Sequence, residues 1–315
     1  MNQSILRATF SLVFLPVTLL STANDISSPP KSPIIGRWDI TVNVSGKELP
    51  SWLEVNSSGN TRLIGEFVGF GGSARPISEV KFSDGKVSFS IPPQWETGSN
   101  LSFDAELQDD SLSGTLTLPD GKTYNCTAVR APSLAVKELI VWGKPIRLLN
   151  ETDLKGWHPS GEKNQWIVEK GVLKSPTPGS NIITDLKFKN FKLHIEFRYP
   201  PNGNSGVYLR GRYEVQIADP SFEEPEKNGF GSVYGFLSPS DMVGKKPGEW
   251  QSYDITLTGR MVTIVANGKT IICNREIPGI TGGALDSKEG EPGPIMLQGD
   301  HEPIEYRNII LTPAR

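Results

Sequence analysis

The sequence predicts an all-β protein built from two antiparallel domains. Three observations carry that expectation. Stretches with a 3.6-residue apolar period are scarce, while short apolar runs alternate with polar residues at a period of two. The 32 Gly and 25 Pro fall largely between those runs, where turns need them. A length of 315 residues favours two domains over one. Hydrophobic content of 37% supports ordinary cores, and a net charge of -3 gives no basic footprint for nucleic acid.

In chain order, residues 1–23 read as a secretory signal. Arg7 supplies the positive charge, Ala8 to Leu20 the apolar run, and Ser21-Thr22-Ala23 the small residues before a cut at Asn24. The run is too short to span a bilayer, and no later segment is long enough. The expectation is a soluble, exported protein, periplasmic or extracellular. Residues 24–33 form a Ser-, Pro- and Lys-containing lead-in that reads as disordered.

Residues 34–134 carry the first β domain. Runs at Trp38–Val44, Trp52–Val55, Leu63–Phe70, Val80–Phe82, Val87–Phe89, Leu101–Leu107, Leu112–Leu118 and Tyr124–Val129 are its strands. Ser83-Asp84-Gly85-Lys86 marks a hairpin turn between two of them. Short strands at near-regular spacing mean an antiparallel sandwich or a lipocalin-like barrel. Trp38, Trp52 and Trp95 could stack on sugars, but Trp in a small β domain more often sits in the core. Residues 135–145 are a linker with at most one helical turn.

Residues 146–315 carry the second β domain. Ile146–Leu149, Trp166–Val168 and Gly171–Leu173 open it. Ile182–Thr184, Phe191–Tyr199, Gly206–Arg210 and Tyr213–Ala218 follow. After a long loop, Pro220 to Pro247, come Ser252–Leu257, Met261–Ala266, Thr270–Cys273, Ile295–Gln298 and Ile304–Thr312. Asn267-Gly268 is a type I′ turn signal. Cys126 and Cys273 fall in different domains and read as buried free thiols, with a disulfide in an exported chain as the alternative.

The stretch Asn204–Asp219 holds the densest candidate chemistry. Alternation about Gly211 puts Arg210, Glu214 and Gln216 on one sheet face, with Asp219 just past the strand end. That set suits either a groove for sugar hydroxyls or a solvated face with an ion pair.

A family resemblance rests on several motifs in order. They are Leu148 to Trp157, Trp166 with Gly171-Val172-Leu173, Phe191 to Arg198, and Asn204-Ser205-Gly206-Val207-Tyr208-Leu209-Arg210. Tyr213-Glu214-Val215-Gln216, Gly248-Glu249-Trp250, Asn267-Gly268 and Leu297-Gln298-Gly299-Asp300-His301 with Tyr306 to Ile309 complete the set. From Ile146 to Leu311 the chain resembles the 3-keto-disaccharide hydrolase family. The resemblance implies a concanavalin-like jelly roll and cleavage of glycosides already oxidised at C3. Two departures stand out: Asn150-Glu151-Thr152 where the family has Asn-Gly-Lys, and Glu302 where it has Gly beside the candidate His301.

A C3 ketone acidifies the proton on C2, so the reaction needs a base, an enolate stabiliser and an acid for the leaving oxygen. His301, beside Asp300, is the expected base or acid, and Glu214 the alternative base. Arg210 is expected to hold the enolate or keto oxygen. Asn204, Gln216, Gln298, Tyr234, Asp219 and Asp300 are expected to bind the substrate, with Asp219 also able to orient His301. Glu214, Asp219, Asp300 and His301 are also able metal ligands, though no spacing demands a divalent ion. A carbohydrate-binding protein without turnover is the rival expectation. An envelope-interaction protein would follow if the 220–247 loop filled the groove.

Overall fold

The computed structural model describes residues 32–219 and 224–315. The expected signal segment, most of the lead-in and the start of the 220–247 loop lie outside the described residues. No helix occurs among the described residues.

Eight strands come first: β1 (Gly36–Val44), β2 (Lys47–Ser58), β3 (Arg62–Val68), β4 (Arg75–Ser83), β5 (Lys86–Ile91), β6 (Leu101–Gln108), β7 (Ser111–Thr117) and β8 (Thr123–Arg130). Each pairs with its sequence neighbour, and β1 closes on β8. The alternative left open by the sequence therefore resolves to an up-and-down barrel. Closure leaves no free edge. The turn at Asp84-Gly85 has positive φ at both residues, as a twisted two-residue hairpin requires. Alternate residues such as Ile40, Val42, Leu53, Phe89 and Phe103 fill the interior.

A second set of strands forms a sandwich: β9 (Ile146–Arg147), β10 (Trp157–Pro159), β11 (Ile167–Glu169), β12 (Val172–Ser175), β13 (Ile182–Phe188), β14 (Phe191–Arg198), β15 (Asn204–Leu209), β16 (Tyr213–Ala218), β17 (Gln251–Thr258), β18 (Met261–Ala266), β19 (Lys269–Glu276), β20 (Gly293–Leu297) and β21 (Ile304–Pro313). One sheet runs β10-β13-β20-β15-β16. The other runs β11-β12-β21-β14-β17-β18-β19, with β9 also on β21. Phe191, Leu193, Ile195 and Phe197 of β14 face Val207, Leu209, Val215 and Ile217 of the opposite sheet within one buried cluster. The linker forms no helical turn; Trp142 bridges Ala314 instead.

Ser32–Arg315 is one compact unit, and the reason is visible in its packing. Trp52 and Val68, on barrel strands, belong to the sandwich's cluster, and Trp52 meets Phe236 edge-on at 5.2 Å. A polar network crosses the same boundary. Arg260 donates to Glu289 and, from Nη1, to the Pro132 carbonyl at 2.9 Å. Asp39 of β1, buried, faces Glu289; burial and that neighbouring charge hold its carboxyl well above the ordinary range. Both cysteines are free, but Cys273 is exposed, not buried as expected.

Candidate functional site

The five-stranded sheet presents its second face to a cleft of about 400 Å³, a size typical of small-molecule sites. The hairpin β15–β16 builds its floor. Tyr208 lies directly opposite Glu214, and Gly206 opposite Gln216. A period of two then brings Asn204, Gly206 and Tyr208 to the same face as Glu214 and Gln216. Glycine at 206 makes room for the carboxyl: a Cβ there would press on Oε1 and Cγ of Glu214 and displace it. The carboxyl group therefore lies over bare backbone.

Glu214 is 3% exposed. Burial pushes its pKa up to about 8, with the Tyr208 hydrogen bond and the charge of His301 pulling against that rise. The Tyr208 hydroxyl lies 2.9 Å from Glu214 Oε2 and 3.1 Å from the Gly282 carbonyl oxygen. The phenol donates to the Glu214 carboxyl, with the Gly282 carbonyl as a second acceptor, and so favours the ionised carboxylate against the burial that disfavours it. Tyr208 was not among the expected site residues, although the hairpin register about Gly211 places it opposite Glu214.

Across the cleft, Asp300 Oδ1 lies 2.7 Å from His301 Nδ1. That bond, with the charges of Asp300, Glu214 and Glu302, holds the imidazole above its ordinary pKa. Glu302 thus adds negative charge beside the ring. His301 is half-exposed, so it can meet a ligand while Nδ1 is oriented.

Amide groups complete the polar wall. Gln216 Nε2 donates to Asn204 Oδ1 at 3.1 Å, which leaves the Asn204 Nδ2 hydrogens for the cleft. Asn181 Oδ1 accepts from the Gly299 amide at 2.9 Å, which orients its Nδ2 the same way. Asn181 was also missed, because it stands in a loop with no motif around it. Gln298 Oε1 is buried without a hydrogen-bond partner among the described residues, and Gln298 lines the cleft. A buried acceptor in that state is costly until a donor reaches it. Tyr234 lines the cleft too, its amide donating to the Glu214 carbonyl at 3.0 Å. Within the described part of the 220–247 loop, Tyr234 alone lines the cleft.

Two expectations are corrected. Arg210 is not in the cleft. Its φ of 55° and that of Gly211, 66°, turn the chain, so the alternation stops at Leu209. The guanidinium goes to the opposite side of the hairpin, fully buried, with Nη2 donating to Tyr213 Oη at 2.8 Å and to the Gly259 carbonyl at 3.1 Å. Asp219 is not in the cleft either. Its Oδ2 accepts from the Asn202 amide at 2.8 Å, tying a turn. Asp219 lies apart from Glu214, Asp300 and His301, and no trio of His, Cys, Asp or Glu gathers for a metal among the described residues.

The barrel supplies the remaining wall: Phe70, Gly71, Gly72 and Trp95. Of the three tryptophans considered at the sequence level, Trp38 is in the barrel core, Trp52 is at the barrel–sandwich boundary, and Trp95 is 64% exposed.

Fold and cleft together define a β-sandwich protein whose five-stranded sheet offers a buried carboxyl, an imidazole–carboxylate pair and oriented amides to a small polar ligand. The chain belongs to the 3-keto-alpha-glucoside-1,2-lyase-like domain family, which matches residues 144–312. Among solved structures it is similar to two proteins of Parabacteroides distasonis provisionally described as glycosyl hydrolases. The first is 31% identical, covering 56% of this chain and 92% of that one, with a TM-score of 0.46. The second is 27% identical, covering 54% and 98%, with a TM-score of 0.44. A carbohydrate binding module from Bacillus subtilis is 12% identical over 51% of this chain and 95% of its own, with a TM-score of 0.35. No curated protein matches.

Proposed function

We propose that this protein cleaves 3-keto-glycosides by proton abstraction at C2 and elimination at C1. The observation that carries the reading is Glu214: a buried carboxyl raised to about 8, at the floor of a cleft lined by amide donors and a His–Asp pair. A base works best when its pKa lies near the working pH.

In this reading the C2–H proton goes to the ionised Glu214 carboxylate. The electron pair moves into the enolate of the C3 ketone, where the Nδ2 groups of Asn181 and Asn204 donate to the developing charge. Collapse of the enolate forms the C1–C2 double bond and breaks the bond from C1 to the leaving oxygen. Protonated His301, held by Asp300, gives that oxygen its proton. Addition of water across C1–C2 afterwards makes the net result hydrolysis. Export to the periplasm or outside the cell is part of the proposal and rests on residues 1–23; N-terminal sequencing of the mature protein beginning at Asn24 would support it.

The rival reading, a carbohydrate binder without turnover, is favoured by one observation. The guanidinium expected to hold the enolate is elsewhere, and among the described residues no Arg or Lys lines the cleft. A direct assay separates the two. The protein is incubated with a 3-keto-glucoside bearing a chromogenic leaving group and with the unoxidised glucoside. Release from the keto compound alone is expected. Binding without release from either would move the assignment to the binder.

A further inference from the structure

The cleft has two unlike ends. The polar groups come from the sandwich, within the family-matched region. The Phe70–Gly72 turn and Trp95 come from the barrel, outside it. We propose that the barrel forms the binding subsite for the leaving group, with Trp95 as the platform for a ring stacked on its indole face. This rests on the reading of the cleft as a 3-keto-glycoside site and names the kind of substrate it takes: one whose C1 substituent presents a ring.

Three observations carry it. Trp95 is the one Trp of the chain that is mostly exposed, at 64%, and it lies on the cleft wall. An indole left largely in water forgoes the burial that a core Trp gains. Second, the loop bearing it is pinned. Gln94 Nε2 donates to Ser73 Oγ at 2.8 Å, Arg75 Nη1 to the Pro92 carbonyl at 2.7 Å, and the Gln94 and Trp95 amides both to Glu96 Oε2 at 3.2 Å. A fixed aromatic costs little ordering entropy when a ligand arrives. Third, the indole rests against a glycine that holds it in place. Gly72 has φ +85°, and a Cβ there would lie 2.7 Å from Trp95 Cη2 and Cζ3.

The platform is registered to the chemistry. The Gly283 amide donates to the Phe70 carbonyl at 3.2 Å, and a Cβ on Gly282 would collide with the Gly72 backbone. The Gly282 carbonyl is the partner of Tyr208, which bonds Glu214. The barrel turn, Tyr208 and the base therefore hold one another at a set spacing. The indole's electron-rich face attracts the polarised C–H face of a pyranose or the edge of an aryl ring.

The test compares wild type with Trp95→Ala and Trp95→Phe on three 3-keto-glucosides that differ only at C1: a second glucose, a phenyl group and a methyl group. The proposal expects Trp95→Ala to lower kcat/KM for the glucosyl or phenyl compound at least about tenfold more than for the methyl compound. Trp95→Phe should recover most of the difference. Whichever ring shows the larger effect is the ring the subsite takes. An equal loss on all three, or no loss on any, overturns the subsite. If wild type turns over none of them, the catalytic reading fails by itself. The subsite is then decided by calorimetry with the unoxidised disaccharide. A tenfold weaker Kd in Trp95→Ala upholds it. Equal affinities, or no binding by wild type, overturn it.

Discussion

Glu214 shows how much of a reaction can rest on one residue's surroundings. A carboxylate with an ordinary pKa would be fully ionised at neutral pH and a weak base. Burial over Gly206 makes this one basic, and Tyr208, donating to Oε2, gives its ionised form a hydrogen bond. Two outcomes follow. Glu214→Gln should lower kcat on a 3-keto-glucoside at least about a hundredfold while leaving sugar affinity within a few-fold. In the wild type, the base must be ionised and the acid protonated, so kcat/KM should trace a bell with one limb near pH 8 from Glu214 and the other from His301, itself raised above its ordinary value. A rising limb near pH 4–5 in the free enzyme would remove Glu214 from the base role.

The hairpin β15–β16 separates what pattern can tell from what it cannot. Alternation correctly pairs Glu214 with Gln216 on one face, and the register that shows this also implies Tyr208. The same alternation fails at Arg210, because a count of two assumes extended backbone, and the positive φ at Arg210 and Gly211 ends it. Asn181 and Gln298 owe their roles to strands distant in sequence, which no local pattern contains. The all-β class and the chain's turns were legible because Gly, Asp and Asn at positive φ leave a local mark. The hairpin itself can be tested by contrast. Arg210 has Nε and Nη1 buried without partners, so Arg210→Met should change stability by no more than about 1–2 kcal/mol and leave turnover per folded molecule unchanged. Gly206→Ala, a far smaller change, should cut turnover tenfold or more by displacing the Glu214 carboxyl. Both are read from denaturant midpoints and initial rates. Loss of activity in Arg210→Met with an intact fold would restore the guanidinium to the chemistry.

At the scale of the molecule, the barrel and the sandwich meet as one folding unit, and the reason is chemical as well as geometric. Trp52 and Val68 complete the sandwich core, and the buried pair Asp39 and Glu289 places a carboxyl from each part beside the other. Asp39 is held well above the ordinary carboxylate range, chiefly by burial and then by Glu289, while Arg260 and Arg212 pull it back. Its folded pKa exceeds its unfolded one. The stability it contributes is therefore fully present below the unfolded value, near 4, and is lost as pH rises through the folded value. Because the pair spans the boundary, that loss should fall on both parts together. Calorimetry between pH 6 and pH 10 should show a single transition whose Tm declines with pH. Asp39→Asn keeps a donor toward Glu289 without a charge, and should flatten the decline. Two transitions, with only the barrel's moving, would mean that the parts unfold independently.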